Sequence, residues 1–367
     1  MKIVYFTHSL ESCWNNGNAH FLRGVLSELI ARGHEVRTYE PEGAWSFGNL
    51  LADHGEAGLA AYRARYPELS STRFGPDETL PPMVEGADLV IVHEWNDCAL
   101  VAALGTLRKQ GAPWTLLFHD THHRAVSTPE EMRAYDLSGY DGVLAFGETL
   151  SEVYRRWGYR AWTWHEAADL RRFRPPATEG ERHGLVWIGN WGDGERTQEI
   201  EHYLLAPAAA ADLPLDIHGV RYTEAALETL ARYNAHYHGW APNAAAPDIF
   251  ARHLATVHVP RRFYSSILPG IPTIRVFEAL ACGIPLVSAP WNDAEHLFNP
   301  GEDFLVAADG EAMTRQLRAL RDDPALRHDL AAHGLATIRA RHSCAHRVDE
   351  LLAIVAEVTG RAMRSVA

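Results

Sequence analysis

Glu278 is the carboxylate whose surroundings carry the most chemical information. It lies in Pro272-Thr-Ile-Arg-Val-Phe-Glu-Ala-Leu-Ala-Cys-Gly-Ile-Pro285. In that stretch Thr273 caps a helix over 274–282, Gly283 closes it in a left-handed turn, and 285–289 continue as a buried strand. The positive N-terminal end of such a helix faces the top of a parallel sheet, a place suited to a nucleotide diphosphate. The plainer alternative is a lone glutamate on a solvated helix face. Arg275 is three residues earlier and projects to about the same face, as a phosphate ligand or as the ion-pair partner of Glu278.

Chemistry on two phosphates needs positive charge and backbone donors. Gly189-Asn-Trp-Gly-Asp-Gly-Glu-Arg196 offers a glycine-rich turn and then an arginine near a helix start, so Arg196 is assigned to the diphosphate. Glycines 189, 192 and 194 are in the wrong order for the Gly-x-Gly-x-x-Gly turn of dinucleotide-binding domains. Arg261 and Arg262 follow a strand ending at Pro260, on the edge where open α/β sheets bind ligands. Each can reach a phosphate or a charged acceptor, or can cover the sheet edge with its aliphatic stem.

Another buried strand leads into Phe118-His-Asp-Thr-His-His123. His119 and Asp120 are the catalytic candidates, Asp120 being the stronger general base for a hydroxyl if the reaction inverts configuration. His119, His122 and His123 lack a spaced set of acidic partners, and no metal is expected. His8 and the pair His93-Glu94 end other strands on the same edge, where each reads as a hydrogen-bonded structural residue more readily than as a catalyst.

Positioning these residues takes two domains. A chain of 367 residues exceeds what one core usually serves, and 47% hydrophobic residues are enough for two. Strands near 3–6, 35–39, 89–92, 115–118 and 142–145 alternate with helices, the first of them amphipathic over 20–31 and stopped by Gly33. Residues 44–80 break the alternation and read as a helical insertion around 57–66, which either covers the sheet edge or shapes a binding site. A polar, turn-rich stretch at 176–182 joins a second α/β domain with strands near 184–188, 215–218, 256–259 and 286, then helices over 311–321, 325–340 and 344–360.

The net charge of −13 disfavours a nucleic-acid partner. Lysine occurs only at positions 2 and 109, and the skew to Ala, Gly and Arg suggests a GC-rich bacterial source. Cysteines 13, 98, 282 and 344 show no Cys-x-x-Cys spacing, so disulfides and thiolate metal sites are not expected. The start reads as a strand, no apolar run is long enough to span a bilayer, and no Lys/Arg-rich amphipathic helix supports membrane attachment. A soluble, cytoplasmic protein is expected.

The Phe-Glu-Ala-x-Ala-x-Gly-x-Pro core resembles the nucleotide-sugar site of GT-B glycosyltransferases, the retaining family-4 type and the CgeB-like group most closely. Weaker resemblance extends to 20–39, where 29–36 is similar to the corner that opens GT-B N-terminal domains, and to Asp169-Leu-Arg-Arg-Phe173-Arg-Pro175, which is similar to the family's interdomain opening. The resemblance implies two facing Rossmann-like doubly wound domains: 1–170 for the acceptor, 183–343 for the donor, and a helix at 344–367 crossing back to the first. It implies transfer of a sugar from a nucleoside-diphosphate sugar, UDP-sugar foremost, to a hydroxyl on a glycan, a lipid-linked or a small-molecule acceptor, with retention and with no metal or other cofactor. By the same resemblance Glu278 clasps the donor ribose and His119 lies beside the donor sugar. Gly17, Asn18 and His93 fall on the acceptor side, although Asn16 stands where the family has its first glycine.

Two departures matter. The family places an Arg and a Lys on the phosphates, and no lysine follows Lys109, so arginine must serve. The family's first glutamate, eight positions before the second, falls here on Gly270. The amides of Gly270, Ile271 and Thr273 are the expected replacements for its contacts. The missing glutamate also leaves open a GT-B-like scaffold without turnover, or a sugar-nucleotide epimerase on the same fold.

Overall fold

The structure, a computed structural model, describes residues 1–178, 180–192 and 194–360. It divides into two compact units, Met1–Glu166 with Cys344–Ala367, and Ala167–Ser343. Among the described residues the first unit is built on seven parallel strands: β1 (Lys2–Phe6), β2 (Glu35–Pro41), β3 (Thr72–Phe74), β4 (Leu89–His93), β5 (Thr115–Asp120), β6 (Gly142–Ala145) and β7 (Ala161–Thr163). Their order is β3-β2-β1-β4-β5-β6-β7. The second unit has six: β8 (Leu185–Ile188), β9 (Leu215–His218), β10 (His236–Tyr237), β11 (Ala255–His258), β12 (Leu286–Ser288) and β13 (Leu305–Val306), in the order β10-β9-β8-β11-β12-β13.

Each sheet starts in its middle and reverses beside its first strand, at β1/β4 and at β8/β11. The crevice beyond the carboxyl ends of those strands is where such sheets hold ligands. Helices cover both faces, so the central strands are buried along their length and mainly apolar until their carboxyl ends; all five residues of β4 are buried.

The segment 44–80 is more than a covering helix. Its helix spans Trp45–Arg65 and breaks at Gly55 (φ 56°, ψ −154°), and the chain then supplies β3, which pairs with β2 through Tyr39 and Thr72. The units part at Glu166 rather than at 170, and the stretch 169–175 folds with the second unit. There Ala168 N–H donates to His342 O at 2.9 Å, Phe173 is buried, and Pro175 lies against Gly283.

The terminal helix, Cys344–Thr359, belongs to the first unit. Trp164 Nε1 donates to Arg347 O at 2.8 Å, and Arg32 pairs with Asp349 at 2.5 Å. The rest of the stretch expected to reach 367 lies outside the described residues. None of the four cysteines forms a disulfide. Among the described residues no helix is long and apolar enough to cross a membrane.

Candidate active site

In the second unit, Gly283 (φ +64°) ends the helix Ile274–Ala281 as expected. Thr273 occupies the cap position with extended backbone (ψ 160°), but its side chain makes no capping bond. Its Oγ1 instead meets His258 Nε2 at 3.1 Å, while His258 Nδ1 meets Ser288 Oγ at 2.9 Å. His258 is buried, and burial, then the charges of Arg196 and Arg275, lower its pKa to about 3. The ring therefore stays neutral and ties the ends of β11 and β12 to the first turn of the helix.

Glu278 is fully buried on that helix. Asn243 Nδ2 donates to its Oε1 at 2.5 Å and Arg275 pairs with its Oε2. Burial raises its pKa, with Arg275 and Asn243 pulling the other way. Of the two roles open to Arg275, the ion pair is thus occupied.

Arg196 leaves the loop after β8 and folds back under it. Nη2 donates to Asn190 Oδ1 at 2.8 Å and Nη1 to Val259 O at 3.1 Å. The guanidinium lies over the Trp187 ring at 5.0 Å. Its Nε is buried without a hydrogen-bond partner. Burial, followed by the charges of Arg261 and Arg275, lowers its pKa to about 9. Three arginines on separate segments therefore repel one another around a buried donor, an arrangement that an anion would relieve.

The glycines of the loop make room for the arm. A Cβ at Gly189 would lie 3.2 Å from Arg196 Nη2, and one at Gly192 (φ +96°) 2.3 Å from its Cγ. Asp193, in the same loop, lies outside the described residues. Arg261 pairs with Glu195 at 2.6 Å. Arg262 turns outward to Glu199, 2.7 Å away and half exposed, and takes no part in the site.

Gly270 has φ +85°. Its N–H donates to Asn292 O at 2.7 Å, which corrects the expectation that this amide serves a ligand. A Cβ on it would lie 2.6 Å from Glu295 Oε1, so a carboxylate from elsewhere in the chain stands beside the position where the glutamate is missing. Ile271 is buried.

In the first unit, β5 ends in His119 and Asp120, both buried. His119 Nδ1 meets the Tyr5 hydroxyl, and its ring is enclosed by Phe21, His93 and Trp164, with centroids 6.1, 5.5 and 4.9 Å away. Its Nε2 is buried without a hydrogen-bond partner. Burial lowers its pKa to about 3.

Asp120 accepts from Tyr154 OH at 2.6 Å and from His122 N–H at 2.9 Å. Burial, then the neighbouring Glu94 charge, raises its pKa well above the usual carboxylate range. Burial thus favours its protonated form, and both its oxygens already accept hydrogen bonds, which weighs against its service as a general base. Glu94 itself accepts from Thr121 N–H at 2.7 Å and pairs with Arg124 at 2.9 Å.

His93 Nδ1 accepts from Trp95 N–H at 3.3 Å and Nε2 faces Thr121 Oγ1 at 3.1 Å, so the ring is a neutral structural link. Gly17 caps the helix Asn18–Ala31 with an ordinary helical φ of −69°, and Asn18 Nδ2 donates to Glu166 Oε1 at 3.2 Å. His8 carries a pKa lowered to about 4 by burial. His122 stacks at 4.0 Å on His123 and edges Trp95. The histidines at 119–123 do not converge on a metal; among the described residues, the group whose ligand atoms come within 4.8 Å of one another is His183, Asp216 and His253.

Sequence reasoning missed Asn243, His258, Asn190, Tyr154 and Tyr5. His258 could have been found, since it ends the strand just before Val259-Pro260-Arg261. Asn243 carries no local signal.

Residues 196–353 match the family model described as glycosyl transferase-like. Similar solved structures include a sucrose-phosphate synthase from Thermosynechococcus elongatus (TM-score 0.65, 15% identity, 98% of this chain and 99% of that one). Anabaena HepE, in complex with UDP and glucose, follows at TM-score 0.64 and 13% identity over 97% and 100%. T4 phage BGT, in complex with its UDP-glucose substrate, gives 0.60 and 12% over 98% and 99%. A search of curated protein sequences gives no match. At such identities the structures establish the fold, and the family model adds the class for part of the chain: the protein has the GT-B fold and carries a glycosyl transferase-like domain over residues 196–353.

Proposed function

We propose that this enzyme transfers a sugar from a UDP-sugar to a carbohydrate hydroxyl, with retention at the anomeric carbon and without a metal on the diphosphate. The observation that carries the donor reading is the convergence of Arg196, Arg261 and Arg275 beside buried Glu278, with Arg196 Nε left unpartnered. Negative charge growing on the departing diphosphate is stabilised by these guanidinium groups, and Glu278, held by Asn243 and Arg275, receives the ribose hydroxyls. That HepE and T4 phage BGT were solved with UDP or UDP-glucose supports the choice of base.

Retention is favoured by the first unit. An inverting course needs a general base, yet both Asp120 oxygens already accept from Tyr154 and His122, and His119, lowered to about 3 by burial, is a weak base near neutrality. The acceptor is read as carbohydrate because Trp95, 43% exposed and backed by Arg124 at 4.0 Å, offers an indole face of the kind that stacks on a sugar ring.

The test is a melting-temperature screen over nucleoside diphosphates. UDP at one hundred times its dissociation constant should add about 2.7 kcal/mol of stability. UDP-sugar consumption should survive EDTA, and proton NMR should show the donor's anomeric configuration kept in the product. Absence of UDP binding at millimolar concentration would overturn the donor reading.

A further inference from the structure

The geometry points to a second ligand site in this enzyme, a transition-metal site in which His183, Asp216 and His253 hold a zinc-class divalent cation at the amino-terminal edge of the second sheet. His183 and His253 stand two residues before β8 and β11, and Asp216 is the second residue of β9. Arg196 and Glu278 belong to the opposite, carboxyl-terminal edge, so this site is independent of the transfer reaction. The ligand atoms of the three residues lie within 4.8 Å of one another.

The decisive detail is at His253, which is buried. Its Nδ1 lies 2.8 Å from the Ile249 carbonyl oxygen. A carbonyl only accepts, so Nδ1 carries the proton and Nε2 of the neutral ring presents a lone pair. That lone pair faces Asp216 Oδ2, another acceptor, at 2.9 Å. Two acceptors at this separation need a positive charge between them, either a second proton on the ring or a metal ion.

The surroundings favour a metal. His183, exposed and 5.4 Å from the His253 ring centre, offers a further imidazole and a path of entry. His238 Nε2 lies 2.9 Å from the other oxygen of the same carboxylate and so orients it from outside the three ligands. Two imidazoles with one carboxylate form a donor set for zinc, whereas magnesium and calcium require more oxygen. The Ile249 carbonyl is the outer partner that fixes the tautomer of a ligating histidine. Such an ion would fasten together the starts of β8, β9 and β11.

Chelator-stripped protein titrated with cobalt(II) chloride should develop the visible absorption of four-coordinate cobalt, saturating at one equivalent and displaced by zinc chloride. His183→Ala, at an exposed position that folding does not need, and His253→Gln should each weaken cobalt binding at least about tenfold. His328→Ala, on a solvated helix face, should not. Absence of the cobalt spectrum, or unchanged affinity in His183→Ala, would show that a proton alone sits between His253 and Asp216. Metal binding is read directly, so either outcome leaves the transferase assignment untouched.

Discussion

Arg196 and Arg262 are both arginines on the ligand edge of the second unit, and their environments separate them. Arg196 lies beneath its own loop with a buried, unpartnered Nε, whereas Arg262 makes an exposed pair with Glu199. A surface pair of that kind contributes about 0–1 kcal/mol to stability. A charge-assisted hydrogen bond to phosphate is stronger, about 1.5–3 kcal/mol. Arg196→Ala should therefore weaken UDP by about 10- to 100-fold in calorimetry, and Arg262→Ala should leave it within twofold; equal losses would remove Arg196 from the site.

Glu278 calls for a gentler substitution. Alanine would strand Arg275 as an uncompensated charge, a loss of about 3–5 kcal/mol in stability alone. Glu278→Gln keeps the volume and should fold, yet lose about 2 kcal/mol of UDP affinity because the ribose hydroxyls no longer meet a charged acceptor. Undiminished UDP affinity in that variant would refute the clasp.

At the scale of elements, the loop 189–196 shows how backbone conformation holds a side chain. Gly192 and Gly194 both have positive φ, +96° and +80°, but a Cβ meets Arg196 only at Gly192; at Gly194 nothing lies within 4 Å. Alanine at either position costs about 1–3 kcal/mol of local strain. Gly192→Ala should in addition displace the Arg196 arm and reduce UDP affinity at least tenfold, while Gly194→Ala should keep it. Matching affinities for the two variants would mean that the loop holds Arg196 by other contacts.

The same scale shows what could be read from sequence. The helix ending at Gly283 was legible because its stop signal and apolar face are local. Strands β9 and β6 were legible to the residue, since buried parallel strands bounded by turn residues stand out from their flanks. Strands β3, β7, β10 and β13 were not; two or three residues carry no periodicity, and only pairing with a neighbour makes them strands. At the site, arginine near glycine was visible, but the Asn243 contact joins residues 35 apart and is created by the fold. Burial was equally invisible. Nothing in Phe-His-Asp-Thr-His-His says that Asp120 is sealed against Tyr154 and Glu94, so chemical type alone suggested a base.

Across the whole molecule, the first unit places several ionisable groups under its sheet, and their proton counts give stability a pH dependence. Glu40, 1% exposed, has its pKa pushed up to about 7 by burial, against its hydrogen bonds to Leu10 and Glu11 and the Arg73 charge. Below the unfolded value of about 4.3 both states hold the proton and no penalty exists. As pH rises from there to about 7, the unfolded chain releases the proton and the folded protein keeps it, so stability falls with pH across this window and then levels off. Asp120, raised for the same reason, adds to the fall. His8 and His119, lowered to about 4 and about 3, act oppositely below about 6.5, because there the unfolded chain gains protons that the folded one refuses. Wild-type curves alone therefore mix both signs, and the informative quantity is a difference. Glu40→Gln keeps an oxygen for the Leu10 and Glu11 amides and deletes the titration together with the charge that faces Arg73. Its stability relative to wild type, read from hydrogen exchange of β1 and β2 amides, should rise by up to about 3 kcal/mol between pH 4.3 and 7 and then stay level. A difference that does not change with pH over that interval would show that Glu40 is already ionised in the folded enzyme, with Arg73 holding its charge.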